Sequence, residues 1–116
     1  MGFFKPRRKK QLDLKARFRD PNNPGLHGNA EYETYTDGSW EFELQLTHDY
    51  IRLADAGPID ILIDGKSIGQ VESKKRRTYM RLTANNGPLA ISPQQGQRID
   101  LMQNRQIRLS SRFEND

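Results

Sequence analysis

The chain contains no cysteine among its 116 residues. This absence excludes disulfide bonds, thiolate zinc sites and cysteine nucleophiles, but it leaves the redox compartment open. Long apolar runs are missing as well. No segment approaches the roughly 20 residues that span a bilayer, and the first ten residues lack the apolar core of a secretion signal. We therefore expect a protein that is made and kept in the cytoplasm.

Hydrophobic residues are scarce, at 34% of the composition. A chain of this length forms one domain and buries roughly two-thirds of the surface that its unfolded form exposes. The few apolar side chains must therefore be concentrated at buried positions. No stretch keeps the apolar stripe of an amphipathic helix over three turns. Only "DYIRLADAG" has the composition of a helical turn.

Apolar and polar residues instead alternate along most of the chain, as strands with one buried face require. The alternation predicts eight short strands, at "LDLKARF", "GNAEYET", "WEFELQL", "IDILID", "SIGQVES", "RTYMRLT", "QRIDLMQ" and "QIRLSSRF". Turn compositions rich in Gly, Pro, Asn and Asp separate them. We predict an all-β fold, a single antiparallel, immunoglobulin-like β-sandwich of about seven or eight strands over residues 12–116, preceded by a basic N-terminal arm over residues 1–11. The predicted core comprises Leu14, Ala16, Phe18, Ala30, Tyr32, Trp40, Phe42, Leu44, Leu46, Ile61, Ile63, Val71, Met80, Leu82, Ile99, Leu101, Ile107, Leu109 and Phe113.

The hairpin at "TYTDGSWEF" is specific enough to predict a register. A two-residue Asp-Gly turn would force glutamates against the core, whereas a three-residue loop over 36–38, with Gly38 in the left-handed conformation, pairs Tyr32 with Phe42 and Thr34 with Trp40. We therefore predict the three-residue loop.

The same register places four glutamates opposite one another in pairs on the outer face, and opposed like charges are destabilising. The pairs are Glu33 with Glu41 and Glu31 with Glu43. The outward face of the first strand is the nearest source of positive charge, through Lys15, Arg17 and Arg19. This acidic ladder is interpreted as a charge-striped surface satisfied within the molecule; a cation site or a dock for a basic partner is the alternative.

No constellation of catalytic residues is evident. His27 and His48 lie in loop-like positions without a nucleophile elbow, and no histidine or carboxylate spacing matches a known metal loop. The glycine-containing stretches connect strands and open no helix that could hold a phosphate. We expect no enzyme, no catalytic residue, no metal and no cofactor; two outward glutamates at glycosidase spacing leave a carbohydrate-active enzyme as a remote alternative.

Net charge is +4, and the excess is concentrated in two clusters. The first is the N-terminal arm, whose candidate partner-binding residues are Phe3, Phe4, Lys5, Arg7, Arg8, Lys9 and Lys10. Pro6 keeps this segment extended. Three interpretations remain open: docking on a protein or nucleoprotein assembly, contact with an anionic membrane surface at the inner face of the membrane, or a solvated tail.

The second cluster joins a basic turn to a strand, and its members are Lys74, Lys75, Arg76, Arg77, Tyr79 and Arg81. An aromatic ring between two guanidinium groups suits stacking on a base while phosphates are neutralised. Single-stranded nucleic-acid binding is therefore an alternative to a charged hairpin tip that keeps the edge soluble.

Turn and core motifs in "GNAEYE", "DILIDGKSIGQV" and "LSSRF" resemble a group of small uncharacterised bacterial β-sandwich proteins. The first strands are also distantly similar to the bacterial CHRD domain, with Ala16, Gly28 and Ala30 at matching positions. The resemblance implies a sandwich and no activity. Our functional hypothesis is a non-catalytic accessory or scaffolding subunit that docks on an acidic surface of a larger assembly, membrane-associated in one version, through Arg7 to Lys10.

Overall fold

The computed structural model describes residues 8–48, 57–74 and 76–116. Alternating side chains form strands throughout, because each strand can bury one face and expose the other. The elements are β1 (Lys10–Asp20), β2 (Asn23–Tyr35), β3 (Trp40–Thr47), β4 (Ile59–Ile63), β5 (Lys66–Val71), β6 (Arg77–Thr83), a 3-10 turn (Ala84–Asn86), β7 (Arg98–Gln103), β8 (Gln106–Arg112) and β9 (Glu114–Asn115). The eight predicted strands are present, and the two-residue β9 is an addition.

The strands form two antiparallel sheets that pack face to face. The larger sheet has the order β6-β3-β2-β1-β9, and the smaller has the order β5-β4-β7-β8. The predicted all-β sandwich is confirmed. In the described residues, no helix has the length and hydrophobicity to cross a membrane.

The hairpin between β2 and β3 has the predicted geometry. Gly38 has a φ of +83°, and the backbone N–H of Tyr35 donates to the carbonyl of Ser39 at 2.9 Å across a three-residue loop. Tyr32 pairs with Phe42 and Thr34 with Trp40. The predicted register is therefore confirmed.

The core lies between the two sheets and contains most of the predicted residues. Leu26 and Ile59 are buried without having been predicted, whereas Ile107 is 52% exposed and its predicted core position is wrong. A β-bulge explains the error, because β7 and β8 shift register between the Leu101–Leu109 and Met102–Ile107 pairs. The extra residue in β8 turns Ile107 outward while Leu109 stays inside. The other predicted members that are only partly buried pack against the core, namely Trp40, Val71, Met80 and Leu82.

Two predictions concern segments at the limits of the described residues. The helical turn predicted at "DYIRLADAG" lies almost entirely outside them. The boundary between arm and sandwich at residues 11 and 12 stays a prediction, although β1 already begins at Lys10.

The molecule is elongated, with principal extents of 55 × 29 × 24 Å. Its radius of gyration is 15.5 Å, compared with about 13 Å for a compact domain of this length. The longest strands are β1 and β2, which have 11 and 13 residues, whereas the strands of the smaller sheet have five to seven.

Candidate functional site

The outer face of the five-stranded sheet carries most of the charged residues that the sequence singled out. Four cross-strand rows run across β1, β2, β3 and β6, because the pairings of these strands are continuous over this region. The rows are Asp13-Glu33-Glu41-Thr83, Lys15-Glu31-Glu43-Arg81, Arg17-Asn29-Gln45-Tyr79 and Arg19-His27-Thr47-Arg77. The first two rows form the acidic half of the face. The last two rows form the other half and contain no acidic residue.

The acidic half contains the predicted ladder, and cations of the same chain neutralise it. Lys15 contacts Glu31 at 3.0 Å, as predicted. Arg81 of β6 contacts Glu41 at 2.7 Å. Arg17 instead reaches Asp116 at 3.4 Å, and Arg19 lies beside His27, away from the ladder.

The end of the basic arm supplies the remaining cations. Arg8 contacts Glu41 at 3.2 Å and lies 4.0 Å over the ring of Tyr35. Lys10 contacts both Glu33 and Asp13, at 3.2 and 3.3 Å. Two of the predicted partner-binding residues are therefore ion-paired within the molecule.

The hydroxyl of Tyr35 donates a hydrogen bond to the carboxylate of Glu33. This bond, together with burial, raises the pKa of Tyr35 to about 12. Burial alone would raise the pKa of Glu33, but hydrogen bonds from Tyr35 and Lys10 outweigh it, so that this pKa lies below its ordinary value. The hydrogen bonds to Glu33 and Asp13 raise the pKa of Lys10.

Asp13, Glu31 and Glu33 place one carboxylate oxygen each within 4.8 Å of one another, close enough to share a cation. Each of them already contacts the ammonium group of Lys10 or Lys15. These ammonium groups provide the positive charge that a metal ion would bring.

The other half of the face holds no carboxylate in its two rows. It consists of Arg17, Asn29, Gln45, Tyr79, Arg19, His27, Thr47 and Arg77, and we call it the cationic half-face. Seven of these side chains are exposed, and Tyr79 is 49% exposed. Three guanidinium groups and several amide or hydroxyl groups thus share one flat surface with a half-exposed aromatic ring.

The second predicted cluster is divided by this arrangement. Arg77 and Tyr79 belong to the cationic half-face, whereas Arg81 is ion-paired with the ladder. Lys74 and Arg76 are exposed and lead into β6. Lys75 lies outside the described residues, as do Phe3, Phe4, Lys5 and Arg7 of the arm.

The two predicted basic clusters lie at opposite ends of the sheet. Lys10 starts β1 beside Tyr35, and Arg77 shares its row with Arg19, nine positions further along β1. At the rise of an extended strand, the separation is about 30 Å. The arm and the basic turn therefore do not form one continuous surface.

The two histidines differ in position and in burial. His27 lies within β2, so its predicted loop position is wrong. His48 follows β3, is buried, and its backbone N–H donates to the carbonyl of Arg76 at 2.9 Å.

Sequence reasoning linked only Arg77 with Tyr79 and missed the rest of the cationic half-face. The signal was present in the predicted register, because Asn29 and Gln45 replace the glutamates two residues beyond the ladder in β2 and β3. Arg17 and Arg19 were expected to face the ladder instead.

Comparisons with protein-family models, with curated proteins and with solved structures each gave no match. The resemblance to small bacterial β-sandwich proteins and to the CHRD domain therefore stays a prediction.

Proposed function

We propose that this chain is a non-catalytic binding module of the cytoplasm, an accessory subunit that docks on an acidic surface of a partner protein. The docking surface is the cationic half-face, extended by Lys74 and Arg76. The basic arm contributes through Lys9, at the far end of the same sheet.

One observation carries this proposal: on the outer face of the five-stranded sheet, the ladder glutamates are neutralised within the chain, whereas a neighbouring group of cations has no carboxylate in contact. Among the described residues, no carboxylate lies within 4.0 Å of the charged groups of Arg19, Lys74, Arg76 or Arg77, whereas each ladder glutamate has a cation in contact. Clustered, unmatched charge of one sign attracts and orients a partner of the opposite sign.

The test uses a fluorescein-labelled peptide of eight glutamates and fluorescence anisotropy. The double variant Arg19→Gln/Arg77→Gln should weaken binding about 2- to 30-fold, because each exposed ion pair contributes about 0.2–1 kcal/mol. Binding by the unchanged protein should also weaken as salt is raised.

The matched control is Arg105→Gln/Arg112→Gln, which removes the same charge from the β7–β8 hairpin of the other sheet. Equal weakening in the control would show that only net charge attracts the peptide. That result, or no binding by the unchanged protein, would contradict the proposal.

Single-stranded nucleic acid is the second candidate, and the exposed ring of Tyr79 favours it. Tyr79 is flanked on β6 by Arg77 and lies opposite Gln45, so that a base could stack on the ring while its phosphates contact arginine. A stacked base contributes about 1–3 kcal/mol, which an acidic protein surface would not gain from the same ring.

A labelled oligothymidine distinguishes the two candidates. Tyr79→Ala should weaken oligonucleotide binding about 5- to 150-fold, as expected for the loss of one stacked base. The octaglutamate peptide should lose little affinity. Undetectable oligonucleotide binding at low salt would exclude the second candidate.

A further inference from the structure

The strand β6 forms the outer edge of the five-stranded sheet and is unusually regular for such a position. It has seven residues, pairs with β3 over seven consecutive positions without a bulge, and contains no proline. In the described part of the chain, no strand pairs with its other side. An edge strand of this kind presents unpaired backbone N–H and C=O groups to a further strand.

The other sheet edges are protected by means that β6 lacks. The pairing of β5 with β4 is interrupted by a bulge, and so is that of β8 with β7. Beyond β1, the two-residue β9 pairs at Leu14 and Lys15, and the pairing of β1 with β2 is irregular near both ends, between Lys10 and Leu12 and between Arg19 and Asp20. Bulges and very short strands are common devices against strand addition.

Side chains on the two faces of β6 specify what kind of strand would fit beside it. The outer face carries Arg77, Tyr79 and Arg81, and the inner face carries Thr78, Met80 and Leu82. Thr78 is fully buried, but Met80 and Leu82 are only partly buried at the open side of the sandwich. No charged residue of β6 points inward, which would otherwise prevent pairing.

The molecule already contains one strand that meets these requirements, on the paired side of β6. Glu41 and Glu43 of β3 alternate with Phe42 and Leu44, and the glutamates contact Arg81 while Phe42 lies opposite Leu82. An added strand with the same alternation would place carboxylates beside Arg77 and Arg81. Its apolar residues would cover Met80 and Leu82.

We infer that β6 binds an extended segment of a partner protein in which acidic and apolar residues alternate, and that the segment extends the five-stranded sheet by one strand. This inference rests on the proposed function and defines its partner more closely. Main-chain hydrogen bonds supply affinity in this mode, and the alternate side chains supply specificity.

Charge argues against a second copy of this chain as the occupant. Two β6 strands paired antiparallel about Tyr79 would place Arg77 of each copy opposite Arg81 of the other. Directly opposed like charges destabilise strand pairs. The acidic partner strand meets no such repulsion.

The experiment compares two capped peptides of equal composition and charge, EVEVEVEV and EEEEVVVV, by isothermal titration calorimetry. Both peptides carry four carboxylates that arginines attract. Only the first peptide alternates acidic and apolar residues, as a strand that pairs with β6 should. We expect the alternating peptide to bind at least about tenfold more tightly, the range of one charge-assisted hydrogen bond or more.

The key variant is Met80→Lys, which places a charge on the inner face of the edge at nearly constant side-chain length. This variant should bind the alternating peptide at least about tenfold more weakly, because an inward-pointing charge opposes strand addition. Ile107→Lys adds the same charge at an exposed position of β8 and should leave that affinity unchanged or slightly raised.

Hydrogen exchange on the unchanged protein supplies a readout that needs no variant. Amides of residues 77–83 should exchange more slowly in the presence of EVEVEVEV. Equal binding of the two peptides, without dependence on Met80→Lys and without added protection of β6, would overturn strand addition and leave the proposed docking function intact. Failure of both peptides to bind would overturn both.

Discussion

The Tyr35 side chain joins two charged groups at the end of the β2–β3 hairpin. Its hydroxyl donates to Glu33, and its ring lies under the guanidinium of Arg8. Because ionised tyrosine could no longer donate to the carboxylate, the hydrogen bond favours the neutral phenol. Tyr35 therefore stabilises the folded state fully below its ordinary pKa near 10, and this stabilisation is lost as the pH rises towards 12.

An alkaline titration followed at 295 nm should resolve this residue. The chain has four tyrosines. We expect one of them to ionise near pH 12, and Tyr35→Phe should remove that late phase. Tyr79→Phe, which replaces a tyrosine distant from Glu33, should leave the late phase in place. A late phase that persists in Tyr35→Phe would contradict this assignment.

Gly28 permits the close approach of β2 and β3. A Cβ atom at this position would lie 2.0 Å from the carbonyl oxygen of Gln45 and 2.9 Å from the Cα of Leu46, and backbone atoms cannot turn away as a flexible side chain could.

We predict that Gly28→Ala destabilises the protein by about 3 kcal/mol or more, the upper range of overpacking in a core. Gly38→Ala is the comparison, because a Cβ there meets open space and only the positive φ is unfavourable, at about 1–2 kcal/mol. Urea unfolding of both variants measures the difference. A smaller loss for Gly28→Ala than for Gly38→Ala would show that the strands can separate cheaply.

At the scale of secondary-structure elements, the bulge in β8 determines which of its apolar residues belong to the core. Leu109 is 5% exposed and Ile107 is 52% exposed, although only one residue separates them. In an uninterrupted strand both would face the same side.

Truncation should separate these two residues clearly. Leu109→Ala should lower the free energy of unfolding by about 2–4 kcal/mol, as for other buried leucines. Ile107→Ala should change it by less than about 0.5 kcal/mol, as for most surface substitutions. Chemical denaturation of the two variants measures both values. Comparable losses would mean that the bulge is absent in solution.

The sequence was sufficient to predict the hairpin register and the glutamate ladder, because alternation and the Asp-Gly turn act over a few residues. It was insufficient for the bulge, since extrapolating a period of two assumes uninterrupted pairing. Nor could it predict that Arg81 and Arg8 would neutralise Glu41. That outcome depends on the pairing of β3 with β6 and on the path of the arm, which are set by contacts distant in sequence.

At the scale of the whole molecule, charge is divided between the two halves of one sheet face. The acidic half is neutralised by four cations from β1, β6 and the arm, namely Lys10, Lys15, Arg81 and Arg8. Most of these ion pairs are partly exposed, so each contributes only modestly to the stability of the folded state. Together they offset the repulsion between the opposed glutamates. The cationic half-face keeps the positive charge that a partner can use.

This division predicts how stability responds to acid. Because the folded-state pKa of Glu33 is lowered, its stabilising contribution is present above its ordinary pKa near 4.5 and is lost as the pH falls through the folded-state value. Glu33→Gln should therefore be less stable than the unchanged protein at pH 7, and the difference should be smaller at pH 3. Urea unfolding at both pH values measures this.

Glu72→Gln removes a charge at an exposed position outside the ladder and controls for net charge. A constant difference between Glu33→Gln and the unchanged protein from pH 7 to pH 3 would contradict the linkage to Glu33.

The long axis of 55 Å has a practical consequence for measurements of mass. An elongated particle diffuses more slowly than a sphere of equal mass, so this chain should elute early from a sizing column and resemble a larger species. Light scattering, which reports mass independently of shape, is the appropriate way to count the chains in any complex that it forms.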